Sequence, residues 1–228
     1  METTVKQIEL NGLLFQYRET GEVSAPPLVA LHALGESAES WDEAAACLGA
    51  KYRVLALDQR GHGGSARPGT YTYERMRDDL LQFVNHMGLE TFTLVGHSMG
   101  GVVSYLFAEA WPSRVERLVV EDVAPPFPEN RRAIPEEPTV PIPFDWRVLT
   151  SILQEEPNSE WWERLSDITA PTLVIGGGST SNFPQHKLLE VSERIAQCEV
   201  VTIEGAGHHV HLSNLPAFLA AVRPFLNV

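Results

Sequence analysis

The chain has 228 residues, of which 43% are hydrophobic and 21% charged, and its formal net charge is -13. That length is enough for one large core and no polar linker divides it, so a single domain over residues 1–228 is expected. The acidic balance, with Lys and Arg nowhere clustered, excludes a nucleic-acid partner, because phosphate binding needs grouped cations to displace counterions.

The first residues, "METTVKQIELNGLLFQYRETG", show no basic stretch followed by an apolar run. "VKQIEL" and "LLFQYRE" flank Asn11-Gly12 and predict a β-hairpin. "PLVALH" predicts a buried strand, "SWDEAAACLGA" a helix, "YRVLALD" a strand, and "YTYERMRDDLLQFVNHMGL" a long amphipathic helix ending near Gly88. "TFTLVG" is a further buried strand, Ser98 to Trp111 a helix, and "VERLVVED" a strand. After an interruption come strand "PTLVIG", helix "QHKLLEVSERIAQ", strand "EVVTIE" and a last helix from Pro216 to Leu226. Apolar strands alternating with helices predict a mostly parallel, doubly wound α/β sheet entered by an antiparallel hairpin. No stretch approaches the roughly 20 apolar residues of a membrane helix, so a cytoplasmic protein with no membrane partner is expected. Cys47 and Cys198 lie in no CxxC or Cys/His spacing and are expected as buried, reduced thiols.

The interruption, about residues 123–167, differs in kind. Seven prolines between Pro125 and Pro143 forbid regular helix in its first part, whereas "FDWRVLTSILQ" and "NSEWWERLSDI" can each form a short one. Phe127, Phe144, Trp146, Trp161 and Trp162 need something to pack on, which predicts a short lid or binding loop rather than a linker. Within it no Arg pair is conspicuously placed to clamp a carboxylate, although Arg131-Arg132 could do so.

"LVGHSMGG" carries Gly-x-Ser-x-Gly between a predicted strand and a predicted helix, the context in which that motif lifts a serine above a sheet. Ser98 is the candidate nucleophile. Gly96 and Gly100 let the turn close, and the helix start aims the Met99 N–H at any oxyanion formed there.

On these residues the chain resembles the α/β-hydrolase family over nearly its whole length, in particular its carboxylesterase-like serine hydrolases. Where the family often shows His-Gly-x-x after the third strand, this chain has His32-Ala33-Leu34-Gly35, which implies Leu34 as the second oxyanion N–H. "DQRGHGGS", Asp58 to Ser65, resembles a family loop whose role looks structural, with Asp58 and Arg60 expected to pair and His62 to be scaffold. In "IEGAGHHVHLS" the resemblance implies His208 as the base, with His209 next and His211 a packing or hydrogen-bonding neighbour. A zinc set of His208, His209 and His211 is set aside, because their spacing is not the i, i+4 pair of a helical zinc site.

In most relatives an aspartate follows the strand matching Thr172 to Gly176, but here stand Gly177, Gly178, Ser179, Thr180, Ser181 and Asn182, none of which holds a negative charge. Some relatives, the haloalkane dehalogenases among them, carry the acid at the end of the strand matching "RLVVED". That pattern implies Asp122 as the acid, leaving Glu121 or a bare Ser-His dyad open. Glu121 and Asp122 alternate across the sheet, so one of them faces the histidine.

A serine with a histidine base and two N–H donors implies acyl transfer through an acyl-enzyme, with no cofactor and no metal. Small or medium neutral carboxylic esters are the expected substrates, with Phe144, Trp146 and His32 as expected contacts. Hydrolysis of a lactone, a thioester or a C–C bond by the same machinery, or a low-turnover ligand-binding module, stays open.

Overall fold

Asn11 and Gly12, at φ 50° and 76°, close a two-residue turn, and β1 (Thr3–Leu10) and β2 (Leu13–Thr20) pair antiparallel across it. The computed structural model describes residues 2–128 and 133–228, so Arg131 and Arg132 fall outside the described residues. The remaining strands are β3 (Pro27–Leu31), β4 (Arg53–Leu57), β5 (Phe92–His97), β6 (Val115–Glu121), β7 (Thr172–Gly176) and β8 (Cys198–Thr202). They complete an eight-stranded sheet in the order β1-β2-β4-β3-β5-β6-β7-β8, in which β3 to β8 run parallel. This is the α/β hydrolase fold, with the antiparallel pair at its N-terminal edge.

The eight α-helices of the described residues are α1 (Asp42–Leu48), α2 (Tyr73–His86), α3 (Met99–Ala110), α4 (Trp146–Gln154), α5 (Ser159–Glu163), α6 (Gln185–Ser192), α7 (Val210–Ser213) and α8 (Leu215–Leu226). Successive strand residues point to opposite faces, which divides the core in two. Val29, Leu31, Leu94, Leu118 and Val120 pack against α2, α3 and α6, while Leu28, Ala30, Val95, Val119 and Leu173 pack against α1 and α8. The helix expected through Gln197 stops at Ser192, and α7 was too short for its periodicity to be read. Cys47 and Cys198 are free thiols, but neither is buried: Cys47 is exposed on the outer side of α1, whose inner side is Ala44, Ala45 and Leu48.

The segment between β6 and β7 is docked on the loop after β4 and on α2. Phe144 stacks on His62 at 5.4 Å, the Asp145 N–H donates to Gly61 O at 2.8 Å, and the Tyr71 hydroxyl donates to Asp145 Oδ2 at 2.7 Å. Trp161 meets Tyr73 edge-on, and Val148 and Leu165 are fully buried. The aromatic residues of this segment therefore have the packing partners that their sequence demanded.

Burial of α3 extends to Glu109, which is 3% exposed and whose carboxylate oxygens find no hydrogen bond among the described residues. Burial pushes its pKa up to about 8 from the usual 4.5. The folded chain then holds a proton that the unfolded chain releases, so stability present below pH 4.5 is lost as the pH rises through about 8. Each unit of such a shift is worth about 1.4 kcal/mol. Glu109→Gln is expected to raise the melting temperature relative to wild type near pH ~9 and much less near pH ~5; an equal change at both would assign the effect to packing instead.

Candidate active site

Ser98 sits between β5 and α3 at φ 50° and ψ -116°, in a backbone region that a residue with a Cβ enters only at a cost. The turn closes because its glycines lie against backbone: a Cβ on Gly100 would stand 2.5 Å from Leu31 O, and one on Gly96 would stand 2.4 Å from Gly100 O. The Ser98 N–H donates to Glu121 O at 3.1 Å and the Gly100 N–H to His32 O at 3.2 Å. The second bond sets the loop after β3, which carries Leu34, beside the first turn of α3, which carries Met99. Neither the Met99 nor the Leu34 amide is engaged in a hydrogen bond among the described residues. The left-handed residue of that loop is Gly35, at φ 82°, so Ala33 stands where glycine is usual without strain. β4 and β5 leave β3 on opposite sides, so this is also the crevice where the strand order reverses and parallel sheets bind ligands.

His208 bridges the serine and an acid. Its Nε2 is 2.9 Å from Ser98 Oγ and its Nδ1 is 2.8 Å from Asp122 Oδ2. An ionised carboxylate only accepts, so Nδ1 carries the hydrogen and Nε2 presents its lone pair to the serine hydroxyl. His208 itself is held from both sides, by the Gly207 N–H donating to Gly177 O at 3.0 Å and by the His97 Nε2–H donating to His208 O at 2.8 Å.

Asp122 follows the last residue of β6 at φ 50° and is fully buried. The segment after β7, which lacks an acid, supplies the donors that hold this one. The Gly177 N–H donates to Oδ1 at 2.8 Å, Gln185 Nε2 donates to Oδ1 at 2.8 Å, and the Ser181 hydroxyl donates to Oδ2. Burial alone would raise the Asp122 pKa, but the bonds from His208, Ser181, Gln185 and Gly177 outweigh it and hold the carboxyl below its usual value. Gly177 has to be glycine because a Cβ there would stand 1.9 Å from Gly207 O. The donor roles of Ser181 and Gln185 were not legible in the sequence, where the only signal was a run of short polar residues after a strand.

Other expected site residues fall elsewhere. His32 is fully buried, donating from Nδ1 to Ala33 O at 2.7 Å and accepting the Gln59 N–H at Nε2 at 3.0 Å, so it offers nothing to a substrate. His62 is likewise scaffold, accepting the Gly35 N–H at 3.2 Å. Burial lowers the pKa of His32 to about 4 and that of His62 to about 3, keeping both neutral. Asp58 does not pair with Arg60: it accepts the Ala38 and Gly64 N–H groups and Gln16 Nε2, while Arg60 pairs with Asp79. Phe144 lies 3.5 Å from where a Gly35 Cβ would be, directly over the loop that carries Leu34, and half-buried Trp146 stands behind Phe144 at 6.4 Å.

Glu121 and Asp122 each meet a histidine, but different ones. Glu121 accepts the His211 N–H at 3.1 Å and lies 2.7 Å from His211 Nδ1, whereas His208 meets Asp122. His208 Nδ1 meets Asp122, His211 Nδ1 meets Glu121 and His209 faces Glu36 at 3.3 Å, so the three histidines do not by themselves make one metal set.

A parallel sheet with a strained serine at its crevice, hydrogen-bonded to a histidine that meets a buried aspartate, is the architecture of one class of hydrolases. Residues 26–141 match the alpha/beta hydrolase fold family, and the chain belongs to it. It is 28% identical to sn-1-specific diacylglycerol lipase ABHD11 of Mus musculus over 90% of this chain and 82% of that one. It is 25% identical to esterase YbfF of Escherichia coli, over 88% of this chain and 93% of the other. Among solved structures, the enol-lactonase from Burkholderia xenovorans superposes with a TM-score of 0.85 at 25% identity, covering 98% of this chain and all 100% of that one. The chain is thus an esterase- or lipase-like α/β hydrolase. Among the described residues no helix is long and apolar enough to cross a membrane.

Proposed function

We propose that this protein is a serine carboxylic-ester hydrolase for small or medium neutral esters, working through an acyl-enzyme on a Ser98–His208–Asp122 triad. The observation that carries the reading is the hydrogen-bonded line from Ser98 Oγ through His208 to Asp122, at 2.9 and 2.8 Å. Ser98 Oγ attacks the ester carbonyl carbon while His208 Nε2 takes its proton. The Met99 and Leu34 N–H groups hold the oxyanion, and Asp122 stabilises the imidazolium. The carbonyl re-forms, the C–O bond to the alcohol breaks, and His208 returns the proton to the leaving oxygen. Water then attacks the acyl-serine with His208 as base, releasing the acid and restoring Ser98.

Phe144, standing over the Leu34 loop, is proposed as an apolar wall for the substrate, and the segment 123–167 as a short cap on a single domain. A lactone is a cyclic ester open to the same chemistry, and the likeness to an enol-lactonase favours including one in the test. The test is a panel of p-nitrophenyl esters of short to medium acids with a simple lactone, beside labelling by a fluorophosphonate. Stoichiometric labelling at Ser98 with turnover of short esters is expected. A folded protein that neither labels nor turns over any panel member would overturn the assignment in favour of a binding module.

A further inference from the structure

Two buried imidazole nitrogens and a carboxylate at the rim converge beside the Ser98–His208 pair, and with a neutral His97 ring none of the three carries a hydrogen. His97, at the end of β5, is fully buried, and its Nε2 must carry the ring hydrogen because it bonds His208 O, a carbonyl that can only accept. In the neutral ring Nδ1 is then a lone pair. His211, 2% exposed on α7, gives its Nδ1–H to Glu121 at 2.7 Å, so its Nε2 is a lone pair as well. Neither His97 Nδ1 nor His211 Nε2 has a hydrogen-bond partner among the described residues. The third acceptor is the carboxylate of Glu36, held by the Ala33 N–H at 3.3 Å and standing 3.6 Å from His97 Nδ1. The three ligating atoms lie within 4.8 Å of one another.

We propose that Glu36, His97 and His211 form a binding site for one divalent transition-metal ion of the zinc class. Two imidazole nitrogens and a carboxylate are a common zinc donor set, with an open position left for water or a fourth ligand. Each imidazole already gives its other N–H to a carboxylate or a backbone carbonyl, the arrangement that orients metal-bound histidines. Glu36 and Glu121 bring two carboxylates to the cluster, a charge that a divalent cation balances. Trp41 stacks on the His211 ring at 4.0 Å and 10° and fixes its plane.

Zinc bonds of about 2.0–2.2 Å put tetrahedral ligands roughly 3.4 Å apart, so the cluster draws in slightly on binding. Glu36 is the arm able to move, since its side chain reaches the rim while both rings are packed. His209, 51% exposed and 3.3 Å from Glu36, marks the way in from solvent and is the nearest fourth ligand. A bound ion joins the loop after β3, the end of β5 and α7, and so braces the backbone that follows His208. The site does not depend on the ester-hydrolase reading.

The chelator-treated full chain, dialysed and titrated with zinc by calorimetry and with cobalt by visible absorption, tests it. Expected are one ion per chain, a melting temperature that rises with zinc, and the cobalt bands of a low-coordinate nitrogen and oxygen site. Affinity should fall at least about tenfold in Glu36→Gln and in His211→Phe, and persist in His208→Ala, which removes the nearby imidazole as a rival ligand. His211→Phe keeps a ring against Trp41 and Glu36→Gln lies at the rim, so a folded variant is available for the comparison, checked by circular dichroism. Absence of stoichiometric zinc binding to wild type, undiminished binding in a folded Glu36→Gln, or binding lost only in His208→Ala would each overturn the proposal.

Discussion

Asp122→Asn is expected to lower kcat on a short p-nitrophenyl ester by about ten-thousand-fold while moving KM little. The side chain keeps its size, so Gly177 and Ser181 retain a neighbour of the same shape. What changes is the hydrogen on His208. An amide nitrogen facing Nδ1 donates instead of accepting, which moves the ring hydrogen to Nε2, where it points at Ser98 and leaves no lone pair to take the serine proton. Glu121→Gln is the comparison: its carboxylate lies against His211, so its loss should fall on stability far more than on rate. A large drop in Glu121→Gln with Asp122→Asn near wild type would reverse the assignment of the acid.

Ser98→Ala should remove still more, about 10⁵- to 10⁶-fold in kcat, because members of such a unit are not additive and no other group supplies the nucleophile. A second readout comes from the backbone. At φ 50° the alanine keeps the Cβ and the strain, whereas Ser98→Gly relieves it. Both variants should be inactive, with the glycine variant more stable by about 1 kcal/mol, the low end of what such strain costs. Equal melting temperatures for the two would mean that the turn stores no strain at Ser98.

The sheet, the hairpin and the serine turn were legible because each rests on local chemistry: Asn11-Gly12 admits one kind of turn, and apolar strands between helices admit few sheets. The serine needed only Gly96 and Gly100 on either side. The uncharged segment after β7 showed only that the usual acid was missing, and the resemblance to relatives with an acid after the preceding strand implied Asp122; what that segment does instead was hidden, because Ser181 and Gln185 become donors only once β6 and β7 are neighbours. His32 misled for a related reason: a histidine beside a predicted oxyanion loop looks exposed until Gln59, remote in sequence, is seen to close over its ring. Asp58 and Arg60, two residues apart, suggested a local pair, and the partner turned out to be Asp79 on α2.

The nucleophile and acid proposed here follow adjacent strands, β5 and β6, which are zipped together in the register His97↔Glu121 immediately before them. Mechanically they ride on one rail, and their separation cannot change without unzipping the middle of the sheet. The histidine rides on a different carriage, a loop hung from the β7–β8 margin and latched by Gly177 and His97. Wear on this machine therefore falls on the latch: loosening of that margin uncouples the base while the rail stays true, and a chain that has lost its activity can still be almost entirely folded.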